Sequence, residues 1–167
     1  MSVTPRILVL GIGNYLMGDE GVGVHLAEYL QQQQLLPQGV DVIDGGTGGF
    51  HLLEFFEQYD VVILIDAALD NYDIGTIRVI RPKFAADFPR AMSTHDIGMR
   101  DLINALQILG KMPDVWLVVI SIESLQQQGI EMTSTIRERI PALANTVQQL
   151  VAKAMEPASP AMAVSGA

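Results

Sequence analysis

Val61-Val62-Ile63-Leu64-Ile65-Asp66-Ala67 is the stretch whose reading decides the fold. Five apolar residues, four of them β-branched, follow one another before Asp66. A strand with one wet face alternates apolar and polar residues. An unbroken apolar run of this length marks a strand covered on both faces. Covering both faces of a sheet takes helices on each side, which is the arrangement of parallel α/β domains.

The same grammar repeats outward from this run. Towards the N-terminus, Arg6–Leu10 reads as a second buried strand stopped by Gly11. From Glu20 to Gln34, Val22, Leu26 and Leu30 recur at helical spacing, with Gln31–Gln34 as the solvated end. Val40–Ile43 is a further strand, closed by Asp44-Gly45-Gly46-Thr47-Gly48-Gly49, and Phe50 to Gln58 is a helix with Leu52, Leu53, Phe55 and Phe56 on its apolar side. Towards the C-terminus, Gly75 precedes a strand at Thr76–Ile80, and Pro82 and Pro89 mark a loop. Asp96 to Leu109 forms a helix striped by Ile97, Leu102, Ile103, Leu106 and Leu109. Val115–Ile122 is the last strand, and a long helix runs from Thr133 to Met155, bent or broken by Pro141. Residues 156–167, rich in Pro, Ala and Ser, are expected to be a disordered tail. The expectation is a single α/β domain over residues 1–155. It is a three-layer sandwich with a mostly parallel sheet of about five strands and helices on both faces.

The bulk properties agree. A chain of 167 residues, 49% hydrophobic and 17% charged, has material for one packed core and is not a disordered composition. With no cysteine, thiolate nucleophiles, thiolate metal sites and disulfides are excluded. The apolar runs are too short to span a bilayer, and Met1–Arg6 lacks the features of a signal peptide. The expected location is therefore the cytoplasm, without membrane insertion. A net charge of −9 disfavours nucleic acid and anionic membranes as partners.

Sites in open parallel sheets form outside the carboxyl ends of the strands. Four groups of polar residues fall there: Asp19 and Glu20 after the first strand, Asp44 after the second, Asp66 after the third, and His95 before a helix. An ionised carboxylate directly after a buried strand costs several kcal/mol unless it is paired, bound to metal or capping backbone N–H groups. Glu20 alone is also explained as an acid at a helix start, and His95 alone as a structural imidazole. Together, two carboxylates and one imidazole from three strand-end loops make a donor set for a hard-to-borderline divalent ion with open positions. Gly11-x-Gly13 after the first strand, with Asp44 ending the second, is a partial dinucleotide fingerprint. Leu16 stands where its third glycine belongs, and Asp19 and Glu20 occupy the helix start where a pyrophosphate needs positive potential.

Gly11-Ile12-Gly13-Asn14-Tyr15-Leu16-Met17-Gly18-Asp19-Glu20-Gly21-Val22-Gly23-Val24 resembles the first motif of the hydrogenase maturation endopeptidases. The resemblance continues through Asp44-Gly45-Gly46-Thr47, Asp66-Ala67, Ser93-Thr94-His95-Asp96-Ile97-Gly98 and Ser121-Ile122-Glu123-Ser124-Leu125, and spans residues 5 to 152. It implies a hydrolase, classed with the aspartic-type peptidases, that removes the C-terminal extension from the large-subunit precursor of a nickel–iron hydrogenase. It places the metal-contacting and catalytic set on Glu20, Asp66 and His95, and a substrate-binding role on Asp44, Gly45 and Gly46. The nickel would be carried by the substrate, with other divalent cations able to substitute, and the protein would act as a monomer. Asp96 after His95 is a departure, since the family more often has an amide or lysine there. A non-catalytic nickel-binding maturation chaperone on the same fold is the alternative from another functional class.

Overall fold

A computed structural model describes residues 4–83, 85–87, 96–123 and 126–156. Five strands, β1 (Ile7–Gly11), β2 (Val40–Asp44), β3 (Val61–Ala68), β4 (Ile77–Ile80) and β5 (Asp114–Ser121), form one sheet in the order β2-β1-β3-β5-β4. All neighbours are parallel except β4, which runs antiparallel to β5 at the edge. Every residue of β1 and β3 is buried, as the unbroken apolar runs require.

Alternation along the strands divides the core in two. Ile7, Val9, Val61, Ile63 and Ile65 face α1 (Val22–Gln32), α4 (Ser134–Arg137) and α5 (Ile140–Met155). Leu8, Leu10, Val62 and Leu64 face α2 (Leu53–Gln58) and α3 (Asp96–Leu109). Of the expected stripes, Val22, Leu26 and Leu30 in α1, Phe56 in α2, and Leu102, Ile103 and Leu106 in α3 are buried, Leu53 and Phe55 are half-buried, and the side chain of Ile97 lies outside the described residues. Leu109 departs from its expected place in the stripe of α3. It is 52% exposed, as the last residue of the helix before the turn at Gly110.

Three helices start differently from the sequence expectation. The helix expected from Phe50 opens with a 3-10 turn over Phe50–Leu52, and α2 begins at Leu53. Glu20 lies in a 3-10 turn over Gly18–Gly21, and α1 begins only at Val22. The long C-terminal helix is two helices. Pro141 sits in the first turn of α5, where its missing N–H has no intrahelical partner to lose. The expected tail from residue 157 onward lies outside the described residues. No helix among the described residues is long and apolar enough to cross a membrane.

In this strand order the chain leaves β1 for β2 on one side and reaches β3 on the other. The crevice between the carboxyl ends of β1 and β3 is therefore the topological switch point.

Candidate functional site at the switch point

The crevice is built by backbone meeting backbone. The Ile12 N–H donates to the Ile65 carbonyl at 2.8 Å, Gly13 N–H to the Gly46 carbonyl at 2.7 Å, and Gly45 N–H to the Gly11 carbonyl at 2.8 Å. The ends of β1, β2 and β3 are thus stitched together above the sheet. Helix α1 then crosses so closely that glycine is required. A Cβ on Gly23 would lie 2.2 Å from the Ile12 carbonyl oxygen and 2.4 Å from that of Ile65. A Cβ on Gly13 would lie 2.2 Å from the Glu20 carbonyl oxygen. The glycines of the first motif bring the Glu20 turn down onto the ends of β1 and β3, and that turn packs against β3.

Asp66 lies inside β3, one residue beyond the level at which Gly11 pairs with Ile65. Its register partner on the other side is Val119 of β5. By alternation it projects to the α2/α3 side with Val62, Leu64 and Ala68. The residue is 3% exposed, and one carboxylate oxygen accepts the Ala67 N–H at 2.8 Å. The capping role foreseen for this aspartate is therefore present.

Glu20 is half-buried in its 3-10 turn, with its N–H on the Met17 carbonyl at 3.1 Å. Asp44 is exposed, and its side chain accepts the Gly46 N–H at 2.8 Å, an Asx turn that shapes the glycine-rich loop. Gly45 is buried against Ile12 and Leu10. His95 lies outside the described residues. Among the described residues, no group of three or more histidine, aspartate or glutamate side chains is placed to hold a metal ion. The other two histidines are not members of the predicted set. His25 stacks on Tyr15 with ring centroids 4.8 Å apart, and His51 is exposed.

The crevice is a poor cradle for a dinucleotide. The N–H groups of Ile12 and Gly13, which a phosphate would need, are taken by Ile65 and Gly46. Asp19 and Glu20 stand where the diphosphate charge would fall.

Sequence reading missed the part played by Asp19. It is 1% exposed, and its two oxygens accept the Thr133 N–H and the Thr133 hydroxyl, both at 2.8 Å. Its own N–H donates to the Gln126 side-chain oxygen at 2.8 Å. The available signal was an acid beside Glu20 in a glycine-rich turn. Nothing local tied it to a threonine 114 positions away.

The comparisons with known proteins agree with the fold. A family model described as hydrogenase maturation protease (HycI) matches residues 24–150. The Hydrogenase 2 maturation protease of Escherichia coli K12 is 37% identical over 148 residues, 87% of this chain and 90% of that protein. Among solved structures, the hydrogenase maturating endopeptidase HybD from E. coli superposes with a TM-score of 0.78 at 32% identity, covering 89% of this chain and 93% of that one. A [NiFe] hydrogenase maturation protease HycI from Thermococcus kodakarensis gives 0.70 at 27% identity, covering 90% and 94%.

Proposed function

The chain belongs to the hydrogenase maturation protease family, and from that membership we propose that it cuts the C-terminal extension from the nickel-loaded large-subunit precursor of a nickel–iron hydrogenase. The observation that carries this reading is Asp66. A carboxylate 3% exposed at the switch point, on the central strand against which the Glu20 turn packs, is costly to bury and suited to meet a cation.

In this reading Glu20, Asp66 and His95 grip the nickel that the precursor already carries. Two carboxylates and an imidazole suit a borderline divalent ion and leave positions for the substrate's own ligands. The substrate's nickel would polarise the scissile carbonyl, and Asp66 would take a proton from the attacking water and pass it to the leaving nitrogen as the C–N bond breaks, the sense in which an aspartic-type class would apply. A precursor without metal lacks the anchor that holds its chain against Asp66, so cleavage reports that nickel insertion is complete. Other divalent ions of similar size occupy the same donors less selectively.

Asp44, Gly45 and Gly46 contact the substrate chain from the glycine-rich loop. The precursor is a folded protein, so contact extends over roughly 1,200–2,000 Å² in all. Leu16, 65% exposed next to the Glu20 turn, is one apolar contact within that area. The protein acts as a monomer in the cytoplasm.

The test is cleavage of a nickel-loaded large-subunit precursor, read by mass spectrometry, with wild type beside Glu20→Gln, Asp66→Asn and His95→Ala. Shortening by wild type and none by the variants, all folded by circular dichroism, is the expected result. An intact precursor that nonetheless takes up or retains nickel in the presence of the protein favours the chaperone reading. Wild-type turnover in all three variants overturns the site.

A further inference from the structure

Glu20 is the more exposed of the two carboxylates assigned to the site, and it sits in a short 3-10 turn. Such a turn has few intrinsic constraints. Its position must be set from outside, and the preceding residue is where the outside takes hold. We propose that Asp19 is a positioning residue for Glu20, locking the turn that carries it to the 126–133 loop. The inference rests on the reading that Glu20 acts on the substrate.

Three bonds converge on Asp19 from that loop. Thr133 gives its N–H and its hydroxyl to the two carboxylate oxygens, and Gln126 accepts the Asp19 N–H. The Gln126 amide is itself oriented, because its nitrogen donates to the Glu123 carbonyl at 2.9 Å. Two backbone bonds add a second grip on the same turn: Gly18 N–H to the Gly129 carbonyl and Gly129 N–H to the Leu16 carbonyl, each at 2.8 Å. The turn is therefore held at Asp19 and just before it, with Glu20 one peptide unit away.

An acid suits position 19. A carboxylate accepts from both Thr133 groups in charge-assisted bonds, whereas an amide keeps the N–H with its oxygen and meets the hydroxyl only by reversing that bond, without the charge. Charge-assisted bonds also offset the cost of burying the carboxylate. Thr133 is the N-terminal cap residue of α4, yet its side chain makes no capping bond there. Its hydroxyl is committed to Asp19 instead. This is a poor arrangement for stabilising α4 and a good one for fixing the 18–21 turn. The same loop, through Gln126, Gln127, Gln128 and Glu131, lines a cleft of 680 Å³ beside the turn.

A clamp that merely stabilised the fold would lower activity only as it lowered the folded fraction. The experiment compares Asp19→Asn, Thr133→Val and Thr133→Ser with wild type on the nickel-loaded precursor, at a temperature where circular dichroism shows every variant fully folded. Ile136→Val, in the buried face of α4, serves as a control for lost stability, and Glu20→Gln is the reference for the site. Asp19→Asn and Thr133→Val are expected to lower kcat/KM by about tenfold to a hundredfold, the scale of a misplaced catalytic group. Thr133→Ser, which keeps the hydroxyl, restores it to within a few-fold of wild type. Asp19→Asn or Thr133→Val at wild-type kcat/KM, with Glu20→Gln inactive, overturns the inference and leaves the site reading standing. Equal losses in Ile136→Val also overturn it. An active Glu20→Gln overturns the site reading itself, and the inference with it.

Discussion

Replacing Gly23 by alanine sets two opposing effects against each other, and the structure decides between them. Gly23 lies in the first turn of α1, where alanine is favoured over glycine by about 1 kcal/mol. Against this, the new methyl would stand 2.2 Å from the Ile12 carbonyl oxygen, 2.4 Å from the Ile65 carbonyl oxygen and 2.8 Å from the Ile12 nitrogen. All three are backbone atoms. The Ile65 carbonyl belongs to the fully buried central strand and already accepts the Ile12 N–H, so neither rotamer change nor local loop movement relieves the contact. The first turn of α1 must retreat by roughly 1 Å to restore ordinary van der Waals distances in a close-packed interior. Overpacking of this kind costs about 1–3 kcal/mol, and rigid backbone on both sides places it near the upper end. The net loss is about 2 kcal/mol after the helix preference is subtracted. For a domain of this size that lowers Tm by roughly 4–8 °C. Thermal unfolding followed by circular dichroism measures it. Because Glu20 lies three residues ahead, in the 3-10 turn that leads into α1, kcat/KM on the precursor should fall as well, under conditions where the variant is folded. A Tm equal to or above that of wild type would show that α1 does not rest on these carbonyls, and the steric account of the glycine motif would be wrong.

Three other outcomes follow from single contacts. Asp70 accepts the guanidinium of Arg78 at 2.6 Å and the hydroxyl of the fully buried Ser121 at 2.8 Å, so Asp70→Ala strands both and should cost about 2–3 kcal/mol in denaturant unfolding; a loss below about 0.5 kcal/mol would refute the network. Tyr59 is pushed up to about 12 by burial, then by its hydrogen bond to Asp41 and that carboxylate's charge, with Arg6 pulling the other way. The folded protein therefore holds this proton more tightly than the unfolded chain. The stability it contributes is fully present below the ordinary tyrosine value of about 10 and is lost as pH rises through about 12; a phenolate step at the ordinary value that is present in wild type and missing from Tyr59→Phe would contradict this. Leu16→Ser should leave Tm within about 1 °C, since the side chain is 65% exposed, while raising KM for the precursor; an unchanged KM removes Leu16 from the contact surface.

Much of this architecture is legible along the chain because burial on both faces leaves a local trace. The runs at Ile7–Leu10, Val61–Ile65 and Val115–Ile120 announce covered strands, and all three prove to be buried almost throughout. The carboxylate at the end of the central run stood out because an apolar neighbourhood makes an acid expensive. Its place at the switch point then followed from a general rule about strand ends. Pro141 marked a helix boundary for an equally local reason. The start of α1 was less visible. Helical spacing begins at Glu20, but the glycines force a 3-10 turn there before Val22.

What the chain alone determined was therefore which segments are strands and helices, which faces are apolar, and which acids sit at strand ends. Each of these depends on neighbours within a few residues. Only the folded structure decided the order β2-β1-β3-β5-β4, the reversed edge strand β4, the backbone contacts of Gly23, and the bond from Asp19 to Thr133. These features join segments tens of residues or more apart. Short polar side chains carry no sign of their distant partners until packing of the two apolar cores has brought the loops together.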